Sequence, residues 1–161
     1  MPAPVRSLAL LVATSALAGA ARAQEIKPLV QWQARADAIA AAETSIQMGG
    51  GANIPVGYYV RFGLDIGAGP QFARGRTELV TRTDVTVRFL LDPFLESRRG
   101  LYGGGGVTAR WTDIQGWREY LVVLAGLEGP AHNGWRSAVE AGFGGGLRVG
   151  VVLRRARTAS R

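Results

Sequence analysis

Along VEAGFGGGLRVGVVLRR, Val139 to Arg155, apolar residues alternate with glycine, glutamate and arginine almost without a slip. Side chains alternate faces every residue along a β-strand, whereas a helix repeats every 3.6. A chain patterned this way forms sheet with one apolar face and one polar face. The period recurs upstream. Trp32, Ala34, Ala36, Ala38, Ala40, Ala42, Thr44, Ile46 and Met48 oppose Gln33, Arg35, Asp37, Glu43, Ser45 and Gln47. Alanine favours helix, but a helix would scatter those charges around its circumference, and a strand gathers them on one side.

Three more runs keep the period. Tyr58, Val60, Phe62, Leu64, Ile66 and Ala68 oppose Tyr59, Arg61, Gly63, Asp65 and Gly67. Leu79, Thr81, Thr83, Val85, Val87, Phe89 and Leu91 oppose Glu78, Arg82, Asp84 and Arg88. Leu101, Gly103, Gly105, Val107, Ala109 and Trp111 oppose Tyr102, Gly104, Gly106, Thr108 and Arg110. REYLVVLAGLEG, from Arg118, is apolar on both faces, and its facing stays open. GGGANIP, GPQFARGRT, DPFLESRRG, TDIQG and GPAHNG punctuate the runs with the residues that turns require. The pattern predicts an all-β fold, an antiparallel up-and-down β-barrel with six recognisable long strands. Eight strands result if Ile26–Met48 divides and the chain turns at Gly144–Gly146, but the alternation passes those glycines in phase, which argues against a turn there.

The ends bound the domain. Residues 1–23 carry Arg6, an apolar run from Leu8 to Ala20 and the small-residue site Ala21-Arg22-Ala23, the pattern of a secretory signal peptide. The barrel domain is expected over residues 24–154, with a basic tail at 155–161. The full chain carries 19 basic and 12 acidic residues. Much of its excess positive charge lies in Arg154, Arg155, Arg157 and Arg161, read as a C-terminal cluster. No basic patch is interleaved with aromatics as nucleic-acid surfaces require, so no nucleic-acid partner is expected. The absence of cysteine excludes disulfides, thiolate metal sites and a Cys nucleophile.

Period two does not say which face is outside. A soluble barrel hides its apolar face, and a membrane barrel turns that face to lipid. The polar face holds Arg35, Arg61, Arg82, Arg88, Arg110 and Arg148 against Asp37, Glu43, Asp65, Glu78, Asp84 and Glu140, with no lysine. Arginine is the cation suited to desolvated, bidentate pairing, so these twelve residues are expected to form an ion-pair cluster in the lumen. Glycines on the same face (Gly63, Gly67, Gly104, Gly106, Gly142, Gly144, Gly146, Gly150) would make room for them. The alternation from Ser137 to Arg154 exceeds the globular strand of about 5–6 residues. Trp32, Tyr58, Trp111, Trp117 and Trp135 fall at or near strand ends, where membrane barrels carry interfacial aromatics.

Over residues 30–154 the alternating strands, the glycines of the polar face and GFGGGLRVGVVL near the C-terminus resemble the small OmpA-like outer-membrane β-barrels of Gram-negative bacteria. The resemblance implies a barrel in the cell outer membrane, with membrane lipid and the outer-membrane assembly machinery as partners. Its assembly signal, polar-x-Gly-x-x-aromatic-x-aromatic, begins well at Arg148-Val149-Gly150 but has Arg155 at the final aromatic position. Whether chains associate into a homo-oligomer stays open.

Little in the chain suggests turnover. His132, the sole histidine, lies in the turn GPAHNG; Ser137 and Glu140 follow it but belong to opposite faces. GGGG at Gly103–Gly106 lacks the Lys-Ser/Thr of a phosphate loop. No catalytic residue, cofactor or metal is expected. The expected role is structural, in the envelope. Two alternatives remain: a soluble periplasmic or secreted barrel binding a small apolar ligand, or a narrow, porin-like passive pore.

Overall fold

The computed structural model describes residues 30–73, 75–92 and 99–155. The expected signal segment and tail residues 156–161 lie outside the described residues. Eight strands follow one another: β1 (Gln31–Ala40), β2 (Thr44–Val56), β3 (Val60–Ala73), β4 (Arg76–Leu90), β5 (Gly100–Thr112), β6 (Gly116–His132), β7 (Trp135–Phe143) and β8 (Leu147–Arg155). Each pairs antiparallel with the next, and β8 closes on β1. The fold is all-β, a closed up-and-down barrel, with eight strands rather than the six read most readily from the pattern.

The two extra strands were hidden by parity. Residues directly opposite each other in an antiparallel pair point to the same face. β1 and β2 close at Ala40↔Thr44, and β7 and β8 at Phe143↔Leu147, so each turn joins residues of equal parity. Alternation therefore runs through both turns in phase although the chain reverses. Gly145 lies at φ 72°, in the left-handed region that favours glycine. The long run from Ser137 is thus two strands of nine residues each, and strands of membrane-crossing length occur elsewhere: β4 has 15 residues and β6 has 17.

Two other turn assignments also move. GGGANIP is not a turn: Gly49–Pro55 lies inside β2, and the chain reverses at Gly57–Tyr59. Inward-facing Gly49 needs its missing Cβ because a side chain there would collide with the backbone of Ile66 and Gly67 on β3. GPQFARGRT likewise contributes Gly69–Ala73 to β3. In GPAHNG the reversal narrows to Asn133-Gly134, both at positive φ, the favoured pair for a tight hairpin. The β6–β7 register shifts between Glu128 and Ala131, around Pro130, whose missing N–H suits a bulge.

One end of the barrel, called here the terminal end, gathers the start of β1, the end of β8, the turns at 57–59 and 133–134, the end of β4 and the start of β5. At the opposite end the described residues between strands form short turns, at 41–43, 113–115 and 144–146, and β3 ends there beside the start of β4. Burial is inverted relative to a water-soluble barrel. Arg35, Asp37, Asp65, Arg82, Asp84, Arg88, Glu128, Glu140, Arg148 and Arg154 are buried inside, while Met48, Ile66, Leu121, Val123, Phe143 and Val151 are exposed outside. The unassigned facing of REYLVVLAGLEG resolves as Val122 and Leu124 inward and Leu121 and Val123 outward. Val122 and Leu124 join Tyr102, Ala138 and Val152 in the interior's apolar patch.

Gly145→Ala tests the hidden turn. It places a Cβ at positive φ and against the Tyr120 ring, 2.8 Å away, and should cost about 1–2 kcal/mol. Outward Gly103→Ala meets nothing nearer than the Leu124 carbonyl at 3.8 Å and should be close to neutral. Urea unfolding in detergent, followed by loss of the fast-migrating folded band, measures both.

Candidate functional site: the charged interior

Among the described residues, ionisable side chains converge in the interior. Antiparallel pairing puts inward residues of neighbouring strands side by side, and the small radius of the barrel brings facing strands within side-chain reach. Glu140, on β7, stands at the centre: it lies 2.9 Å from Arg35, 2.7 Å from Arg154, 3.5 Å from Arg88 and 3.6 Å from Arg148, and it accepts a 2.7 Å hydrogen bond from the Tyr102 hydroxyl. Arg35 donates to Asp37 at 2.7 Å, Asp65 at 3.0 Å and Glu140 at 2.9 Å, so one guanidinium joins three carboxylates. Asp37 also accepts from Arg82 at 2.6 Å, Asp65 from Arg88 at 3.0 Å, and Asp84 from Arg148 at 2.7 Å.

Glycines under these groups provide the room. A Cβ at Gly63 would collide with the Arg88 guanidinium, at Gly51 and Gly150 with the carboxylates of Asp65 and Asp37, and at Gly126 with the Tyr102 ring. Of the lumen glycines expected from sequence, Gly144 and Gly146 belong to the β7–β8 turn instead.

Of the twelve residues expected in the cluster, Arg35, Asp37, Asp65, Arg82, Asp84, Arg88, Glu140 and Arg148 are buried together. Arg61 is half-buried near the terminal end and pairs with Glu128 at 2.9 Å. Glu43 and Arg110 lie toward the opposite end, both hydrogen-bonded to Gln71, and Glu78 sits half-buried across from Gln71 in the β3–β4 register. Sequence reasoning missed two buried ions and the neutral groups around them. Glu128 lay in the stretch of undecided facing. Arg154 was grouped with the basic tail, yet it points inward from β8 to Glu128, Glu140 and the Tyr102 ring, 4.9 Å from the ring centroid. Its even parity, shared with Arg148 and Gly150, was the available signal. Gln33 bonds Asp65 and Asn53, and Asn53 accepts from Arg88 at 2.6 Å. Counted by burial, the interior holds five arginines and five carboxylates.

The aromatics divide between the two ends. Trp32, Tyr58 and Trp135 are exposed at the terminal end. Trp111 pairs with Trp117 across β5 and β6, beside the turn at the opposite end. Exposed His132 ends β6; Ser137 faces outward and Glu140 inward, so the three converge on no common point. Arg155 is the last residue of β8 and is exposed.

Glu140→Gln leaves its four arginines without their shared counter-charge. Breaking a buried ion pair from one side should cost about 3–5 kcal/mol. Glu43→Gln, near a barrel end, should cost less than about 1 kcal/mol. Denaturant midpoints of the two variants in one detergent test this ranking.

No protein-family model matches the chain, and no curated protein matches it in sequence. Among solved structures it is similar to Neisserial surface protein A, at 14% identity and a TM-score of 0.56, covering 80% of this chain and 96% of that one. It is similar to the N-terminal β-barrel domain of OprF from Pseudomonas aeruginosa, at 13% identity and a TM-score of 0.52, covering 78% of this chain and 96% of that domain. A de novo designed transmembrane β-barrel aligns at 16% identity and a TM-score of 0.52, covering 82% of this chain and 98% of the design. At these identities the likeness is one of fold. In architecture the chain is an eight-stranded barrel of the small outer-membrane type, and its resemblance to OmpA-like proteins holds at that level.

Proposed function

We propose that this protein is an integral outer-membrane β-barrel whose interior is plugged by ion pairs and whose role is structural, in the envelope, without catalysis. The observation that carries the reading is the inversion of burial. Ten charged groups are buried inside, and the wall outside presents Met48 at 72% exposure and Leu121 at 80%. A continuous apolar wall of this extent has no stable place in water, and lipid removes the penalty. The exported-chain pattern of residues 1–23 gives a route to that membrane.

The interior supports a plug over a pore. Arg35, Asp37, Asp65, Arg88 and Glu140 contact one another across the lumen at hydrogen-bonding distances, so a conducted ion would have to displace paired charges from a low-dielectric site. A soluble barrel binding an apolar ligand inside needs an apolar cavity, and the apolar residues of this interior, Val122, Leu124, Ala138 and Val152, are buried against one another in a lumen shared with paired arginines and carboxylates. Association with the assembly machinery follows from the membrane reading and is proposed with it.

Cell fractionation should place the protein in the outer-membrane pellet, with faster gel migration unheated than heated. A soluble periplasmic protein without a heat shift would overturn the reading. Val151→Arg, at the middle of β8's outward face, should destabilise the lipid-embedded barrel by about 2–4 kcal/mol. In a soluble barrel the same change would put a charge in water at little cost.

A further inference from the structure

The charge inside the barrel is not evenly spread along its axis. At mid-height the buried arginines and carboxylates balance. Toward the end opposite the termini, half-buried Glu43 and Glu78 accompany Arg110. At the terminal mouth the balance among the described inward-facing side chains tips the other way. Arg61, Arg136 and Arg154 all converge on one carboxylate, Glu128, at 2.9, 3.3 and 2.5 Å. Arg154 also serves Glu140, but for Arg61 and Arg136 Glu128 is the one carboxylate partner among the described residues.

The register sets arginines of the mouth opposite other arginines. Arg136 stands directly across from Arg154 on β8, and Arg61 directly across from Arg88 on β4. Like charges placed opposite each other in a sheet repel; Arg110 likewise faces Arg82 and Arg118 toward the opposite end, where Glu43 and Glu78 stand nearby, whereas at the terminal mouth a single carboxylate serves the arginines. Arg61 and Arg136 keep 14% and 17% of their side-chain surface open, whereas Glu128 beneath them keeps 3%. The Arg136 Nε is buried without a hydrogen-bond partner among the described residues. Guanidinium donors left over around one carboxylate are the recognition chemistry for a doubly charged oxyanion, which arginine forks bind bidentately.

We infer that the terminal mouth of the barrel is an anion-binding site, formed by Arg61 and Arg136 with Arg154 behind them, that takes a phosphate group. The phosphate comes from a soluble phosphate species or from a phospholipid headgroup at the membrane surface. Glu128 competes for the same donors and holds the arginines in place when the anion is absent. The site itself needs only the barrel and its mouth, and only the headgroup source depends on the wall facing lipid.

The test is calorimetric titration of inorganic phosphate into the full chain, folded in an uncharged sugar detergent at low ionic strength, repeated with a short-chain phosphatidic acid. Saturable binding is expected, weakened about tenfold or more by Arg61→Gln with Arg136→Gln, which remove charge-assisted hydrogen bonds. Glu128→Gln, by removing the competitor, should tighten binding, and this arm decides the matter if the double variant does not fold. Arg118→Gln, on β6 at the opposite end, should leave affinity unchanged. Phosphatidic acid binding tenfold more tightly than inorganic phosphate identifies the headgroup as the source, and equal affinity identifies the soluble species. Absence of saturable heat with either probe, or unchanged affinity in both the double variant and Glu128→Gln, overturns the inference.

Discussion

Charge neutralisation inside a narrow barrel is the constraint on which the rest of this structure depends. Ten buried ionised side chains carry a desolvation cost that only close, multiple pairing offsets. Glu140 and Arg35 make this pairing three-dimensional, each touching several partners contributed by other strands. Because the partners come from all round the wall, the network exists only when the barrel is closed. It therefore links closure of the sheet to formation of the core, in place of the apolar packing that performs this task in a water-soluble domain.

Glycine is the second half of that arrangement. An eight-stranded barrel has space inside for side chains but not for large ones at every inward position. Placing glycine at 51, 63, 126 and 150 gives Asp65, Arg88, Tyr102 and Asp37 the volume above each glycine. The outer wall carries no such restriction and is built from Val, Leu, Ile, Phe and Ala, with aromatic residues toward both ends. The division between the two faces is sharp, in keeping with the outer-membrane type of fold and with the envelope role proposed for it.

Much of the architecture was legible in period two. The facing of Arg35, Asp37, Asp65, Asp84, Arg88, Glu140 and Arg148 could be read directly, because each sits in a run where parity and polarity agree. Two classes of feature were not legible. Turns joining residues of equal parity leave no trace in the alternation, so the eight-strand alternative, with Ile26–Met48 divided and a turn at Gly144–Gly146, could be named but the unbroken alternation argued against it. Glycine also carried two meanings: it makes the turn at Gly145, whereas at Gly49 it relieves a collision inside a strand. Sequence alone offers no means to tell these apart.

By itself the sequence determined the fold class, because an alternating chain can satisfy its backbone and segregate its faces only as sheet. It also determined which residues share a face within each strand. Only the tertiary structure decided which strand meets which, and hence which charges pair. Arg154 meets Glu128 because β7 lies between β8 and β6 and its pairing with β6 contains a bulge, a relation set by register over the whole barrel. The uneven distribution of charge between the two mouths has the same origin. Each arginine's inward direction is local, but its partners are supplied by strands distant in sequence and brought near only when the sheet closes.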